Sequence, residues 1–156
     1  MKIYEYDDWH HYAINDLVID DFVKDITGKW MYFFDNHDFI NIICEEAIQS
    51  NVIPLCKHSA ATTGVACFYL SLSDYEGHLR VIDFFLKHNL IAFTHTGRLY
   101  NISFKLDIQT LQNKYGENFK AFLRLEDFLD LNTRKVIMSK EVFKKKVKDI
   151  LWKLRL

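Results

Sequence analysis

Apolar positions along the chain fall into runs with distinct periods. KWMYFF (29–34) and GVACFYLSL (64–72) are continuous, aromatic-rich runs of strand length, as expected of buried strands. Between them, Asp35 or Asn36 is placed to cap a helix whose apolar positions Phe39, Ile42, Ile43 and Ala47 recur at helical spacing, with a stop near Ser50-Asn51. VIPLC (52–56) predicts a short extended piece, with Pro54 marking an edge or a strand start. Ser73 and Glu76 have capping-box spacing ahead of a helix with Leu79, Ile82, Phe85, Leu86 and Leu90 on one face and Asn89 as a left-handed stop.

LIAFTH (90–95) and RLYNISFKL (98–106) predict two strands joined by a tight turn at Thr96-Gly97. In the second, Tyr100, Ile102, Phe104 and Leu106 alternate with Asn101, Ser103, Lys105 and Asp107, and NFKAFLRL (118–125) alternates as well. Ser139 and Glu141 open a last helix with Phe143, Val147, Ile150, Leu151 and Leu154 on one stripe. The first 25 residues read as a polar lead-in with one or two short helical turns. This order of elements predicts an α+β fold, a mainly antiparallel sheet with helices packed on one face.

Length changes this picture little: 156 residues suit one domain, with an acidic lead-in (1–25), a core of sheet and helices (28–125) and a C-terminal amphipathic basic helix (139–155). An aromatic content of 15% suits a sizeable sheet. No stretch reaches the roughly 20 apolar residues of a membrane span, and the acidic, aromatic N-terminus is the reverse of a signal peptide. Cys44, Cys56 and Cys67 form an odd set without CxxC spacing, which predicts reduced structural thiols and a cytoplasmic protein. Charge is uneven. Residues 1–25 hold Glu5, Asp7, Asp8, Asp16, Asp20, Asp21 and Asp25 against Lys2 and Lys24. Residues 139–156 hold Lys140, Lys144, Lys145, Lys146, Lys148, Lys153 and Arg155 against Glu141 and Asp149. Such polarity suits an anionic partner, or brings the termini together.

The familiar chemical motifs are missing. No GxxxxGK[ST] or GxGxxG phosphate cradle, no HExxH, no Cys/His set at ligand spacing and no GxSxG elbow occurs, so neither a cofactor nor a metal is expected. The histidines are scattered along the chain, and THTG (94–97) holds a single H-x-T. What remains is a distributed basic set: Lys29 before the first strand, Lys57-His58 after the second, Arg98 at the hairpin and Lys105 in FKLD. If Lys29, Lys57 and Lys105 converge on one polar sheet face, they hold a phosphate or carboxylate, since clustered ammonium groups repel unless an anion compensates them. Otherwise each is separately solvated. Lys105 and Asp107, two apart on one strand face, are placed to pair with each other, and Thr110 follows. On the last helix, Lys144, Lys145, Lys148 and Arg155 form a basic face, either solvated or set against nucleic-acid phosphates.

Three segments in order resemble one family. GKWMYFF (28–34), CKHS (56–59) before CFYLSLSDYEGHLRVIDFFLKHNL (67–90), and GRLYNISFKLDIQTLQNKYG (97–116) are similar to the family of the basophilic-leukaemia-expressed protein and its bacterial relatives. The resemblance covers roughly 28–125. It implies the fold of the cap-binding translation initiation factor, a curved antiparallel sheet backed by helices. It does not imply cap binding, because Trp9, Trp30 and Trp152 lie in unrelated elements. It nominates Lys29, Trp30, Lys57, Lys105, Asp107, Thr110 and Tyr115 for a polar site in the sheet's concavity. Some bacterial relatives carry a phosphothreonine-lyase label, in which Lys29 or Lys105, His58 and Arg98 would be cast as base, acid and phosphate ligand.

The leading functional expectation is a non-enzymatic binding protein holding an anionic ligand or nucleic acid. Its candidate residues are Lys29, Lys57, His58, Arg98, Lys105 and Asp107, or the basic helix. Two alternatives are a small protein-protein inhibitor or adaptor of phage or mobile-element origin, and an enzyme acting on a phosphorylated substrate.

Overall fold

The computed structural model describes residues 1–14 and 26–154. Its strands are β1 (Lys2–Tyr6), β2 (Trp9–Ala13), β3 (Thr27–Phe34), β4 (Leu55–Ser59), β5 (Gly64–Ser71), β6 (Ser103–Leu106) and β7 (Leu123–Arg124). Its helices are α1 (His37–Gln49), α2 (Tyr75–Lys87), α3 (Asp107–Leu111), α4 (Leu125–Phe128) and α5 (Lys140–Leu154). The strands form one sheet in the order β1-β2-β4-β5-β3-β6-β7, and every neighbouring pair is antiparallel. The fold is therefore α+β, as the pattern predicts. Among the described residues, no helix is long and apolar enough to cross a membrane.

Strand alternation divides the sheet into two faces. One carries Tyr12, Trp30, Phe34, Cys56, Ala66, Phe68, Leu70, Phe104 and Leu106, which form one core with Ile40, Ile43 and Ala47 of α1, Val81, Ile82 and Phe85 of α2, and Phe143, Val147 and Ile150 of α5. At its centre the fully buried Trp30 donates its indole N–H to His78 Nδ1 at 3.0 Å, while His78 Nε2 donates to the Leu72 carbonyl at 2.9 Å. That pair of bonds fixes a neutral tautomer, and burial lowers the His78 pKa to about 4. Gly28 lets β6 approach: a Cβ there would stand 2.5 Å from the Phe104 ring and 2.7 Å from the Lys105 carbonyl. The other face carries a smaller cluster, Ala13, Leu55, Cys67 and Tyr69, with Tyr4, Trp9, Met31 and Val65 beside it. Cys44, Cys56 and Cys67 are buried and free.

Several sequence expectations are corrected. Residues 2–13 form a hairpin rather than a helical lead-in; Asp7 and Asp8 turn the chain with φ of 52° and 63°. The rest of the acidic lead-in, 15–25, lies outside the described residues. The α1 stripe is Ile40, Ile43, Cys44, Ala47 and Ile48, which leaves Phe39 and Ile42 exposed. The α2 cap is Asp74, whose carboxylate accepts from Gly77 N, not Ser73, which meets Ser71 instead. The 90–99 turn closes on a single bridge, Phe93 to Leu99, and strand pairing resumes only at Ser103. The intervening Asn101 side chain accepts from Glu126 N, and the Ile102 carbonyl from Leu125 N. Of the 118–125 segment only Leu123 and Arg124 pair.

Candidate functional site

Residues paired across neighbouring antiparallel strands share a face. Tyr4 pairs with His11, His11 with Lys57 and Lys57 with Cys67, which sets one row across four strands. Two residues along β5, Tyr69 pairs with Lys29, and Lys29 pairs with Lys105. The three lysines thus stand on the face opposite α1, α2 and α5, in the order Lys57, Lys29, Lys105. They are not solvated separately: Lys29 and Lys105 are 7% and 5% exposed, and Lys57 is half-buried.

Their surroundings differ. Lys29 is neutralised, its ammonium donating to Asp107 Oδ1 at 2.8 Å and Thr110 Oγ1 at 2.7 Å. α3 begins immediately after β6, so Asp107 and Thr110 lie one turn apart on its first turn and reach back to β3. Gln109 fastens this corner, accepting from Leu106 N and donating to the Lys120 carbonyl. The expected pair between Lys105 and Asp107 does not form, because the strand ends at Leu106 and the helix turns the carboxylate toward Lys29.

Lys57 and Lys105 have no carboxylate within ion-pair distance among the described residues. Each instead lies over aromatic rings. Lys57 Nζ is 4.1 Å from the Trp9 centroid and 5.8 Å from that of Tyr69. Lys105 Nζ is 3.7 Å from the Tyr115 centroid and 5.1 Å from that of Phe119. Ring faces attract a cation but supply no counter-charge. Burial, and then the Lys29 charge, lowers the pKa of both amines, although Cys67, Asp107 and Asp7 partly offset this at Lys57.

His11 adds a second unsatisfied group. It is 4% exposed and stacks on Tyr4 at 4.6 Å, and its ring nitrogens lack a well-formed hydrogen bond, the Tyr6 backbone offering only a weak one. Burial, then Lys57, lowers its pKa, so the ring is neutral at neutral pH, with one donor and one acceptor.

Other nominated residues stand apart. His58 and Trp30 neighbour Lys57 and Lys29 in sequence and therefore face the helices. His58 is fully buried, its Nδ1 2.8 Å from the Ser59 carbonyl and its Nε2 2.8 Å from Asn41 Oδ1 and 3.1 Å from the Tyr12 hydroxyl; burial lowers its pKa to about 4. It gathers with His10 and His37, ring centroids 5.0–5.4 Å apart, so these three histidines are not scattered. No group of three or more His, Cys, Asp or Glu among the described residues is arranged to hold a metal. Lys57 and His58 lie inside β4, a central strand, not after a strand. Arg98 is exposed on the 93–99 turn, and no contact ties it to the lysines. Lys144, Lys145 and Lys148 are exposed on α5, and Arg155 lies outside the described residues.

Sequence reading missed Trp9, His11 and Tyr69. The period-two pattern of WHHYA and the odd positions of VACFY carried the signal, hidden in the first case by an Asp-Asp turn without glycine. No protein-family model matches the chain, and no curated protein is significantly similar to it.

Proposed function

We propose that this chain is a non-catalytic binding protein that takes a small anionic ligand on the sheet face opposite its main helices, through Lys29, Lys57 and Lys105. The observation that carries the reading is a local imbalance: Lys57, Lys29 and Lys105 follow one another across this face, and of the three only Lys29 has a carboxylate, Asp107, within ion-pair distance among the described residues. A desolvated cation without a counter-charge is unfavourable, and an anion removes the penalty. Cation–π contact holds Lys57 and Lys105 until that anion arrives. The buried His11 supplies a further donor beside Lys57.

The proposed kinship with the basophilic-leukaemia-expressed protein family points to the same place. Of the positions it nominates, Lys29, Lys57 and Lys105 share this face, and Asp107, Thr110 and Tyr115 contact them. Trp30 departs from it. The basic face of α5 offers exposed lysines without a second feature, so nucleic acid is the weaker reading, and no observation favours a protein inhibitor or an enzyme.

Thermal unfolding with added inorganic phosphate, sulfate and citrate tests the proposal. An anion present at about ten times its Kd stabilises by about 1.4 kcal/mol, a rise in Tm of about 3–5 °C for a chain of this size. Increasing sodium chloride should weaken the effect, and a Lys57→Met/Lys105→Met double variant should abolish it. Equal stabilisation of that variant, or none of the wild type by any anion, sinks the proposal.

A further inference from the structure

We infer that the ligand is an aromatic anion: its charged group meets Lys57, and its ring lies against Trp9 and over Ser59, toward Val65 and Phe33. The inference rests on the anion-binding reading above, at the Lys57 end of the lysine row. Two residues along the strands from Lys57, an apolar row crosses the same face. Tyr6 pairs with Trp9, Trp9 with Ser59, and Phe33 with Val65, whose amide donates to Ser59 Oγ at 3.2 Å. Tyr6 and Phe33 are 72% and 73% exposed, and Trp9 and Val65 are half-buried. Single exposed apolar side chains are ordinary, but a continuous row of them beside a charge is a surface that an apolar body covers with gain.

Charge and apolar row meet at Trp9. The Lys57 ammonium leans toward this row, 4.1 Å from the Trp9 centroid against 5.8 Å from that of Tyr69. When it turns to an anion, the indole face that it covers returns to water unless the ligand itself takes the place. A bare inorganic anion leaves that face open; a planar ring restores the contact at about 3.5–4 Å. Ser59 gives the room, a small side chain between Trp9 and Val65, whose Cα atoms are two strand spacings, about 10 Å, apart. A ring standing between the two walls needs about 7 Å, twice the contact distance. Asp7, on the turn between β1 and β2, acts on Lys57 only from beyond ion-pair distance, so it weakens the hold on an anion without filling its place.

The deciding experiment is an amide chemical-shift titration of the full chain at pH 8 with methyl phosphate and phenyl phosphate, which match in charge and differ in the ring. The wild type should bind the phenyl ester at least about fivefold more tightly, with shifts at the Trp9 indole N–H, Ser59 and Val65. A Phe33→Ser/Val65→Thr double variant should cut that ratio by half or more, and Lys57→Met should weaken both esters. Asp7→Asn, which suits the same turn conformation, should tighten both by a similar factor and leave the ratio alone. Equal affinity of the two esters for the wild type, a ratio unchanged in the double variant, or shifts confined to the Lys105 end overturns the aromatic ligand and leaves the anion site standing. Shifts along the apolar row that follow protein concentration instead of ester assign the row to a second copy of the chain, and overturn it too. Failure of both esters to bind overturns the anion reading itself.

Discussion

Replacing Lys57 by Met should make the ligand-free protein more stable. The ammonium is half-buried on a central strand, faces His11 and Lys29 and has no carboxylate within ion-pair distance among the described residues, Asp107 and Asp7 acting on it only from farther off. Removing such a group recovers about 2–4 kcal/mol of desolvation and repulsion. Losing the contacts with Trp9 and Tyr69 takes back about 1–2 kcal/mol. Methionine keeps the unbranched shape and packs against the same rings. The net gain is about 1–2 kcal/mol, a rise in Tm of about 2–8 °C. Lys29→Met on the same face should do the reverse, leaving Asp107 and Thr110 without their donor and costing about 1–3 kcal/mol. Differential scanning calorimetry of both variants without ligand reads the contrast. The pH dependence gives an internal control. The Lys57 pKa is lowered in the fold, so the unfolded chain binds more protons between that value and the ordinary 10.5, and wild-type stability rises with pH across the window. The advantage of Lys57→Met should therefore shrink as pH approaches 10. A lower Tm for Lys57→Met, or the same sign for both variants, would show that Lys57 is a structural residue and refute the charge argument.

The core histidine predicts acid sensitivity. His78 has its pKa lowered by burial to about 4 in the fold against 6.5 when unfolded, so its share of stability is complete above about 6.5, declines as pH falls toward 4 and is constant below. That share is about 3 kcal/mol, and His58, lowered to about 4 as well, adds a loss in the same window. Urea unfolding at pH 7 and 4.5 should show a loss that His78→Gln, able to accept from Trp30 and donate to Leu72, reduces by about half. Gly28→Ala should destabilise by about 1–3 kcal/mol in urea unfolding, since the new methyl group meets the Phe104 ring and the Lys105 carbonyl. Exchanging Lys144, Lys145 and Lys148 for Gln should leave anion affinity unchanged in calorimetry, because these side chains lie on the exposed side of α5.

The parts of the fold that were legible in the sequence share one property: their apolar pattern is decided within the element. β3, β5 and α5 announce themselves by continuous or helical-period apolar runs, and Asn36, Asn89 and Ser139 mark helix ends where the structure has them. What depended on pairing was hidden. β1 and β2 turn on two aspartates in left-handed conformation, without the glycine that usually marks such a turn. Lys57 and His58 look like one candidate pair while they lie beyond a strand; placed inside β4, alternation sends one to each face. The same parity separates Trp30 from Lys29. Asp107 is two residues from Lys105, yet it serves Lys29, because the chain changes from strand to helix between them. That Lys29, Lys57 and Lys105 share one face needed the register of four strands, which no local pattern contains.

The three tryptophans occupy three different surroundings, and this makes the protein its own optical probe. Trp30 is sealed in the core with its N–H on His78, so its emission is that of an apolar site and follows global unfolding. Trp152 is 83% exposed and reports solvent in every state. Trp9 lies under the Lys57 ammonium, and its light should change when that cation leaves the ring for a ligand. Single-tryptophan variants, with Phe at the other two positions, would separate folding, surface and occupancy into three signals from one chain.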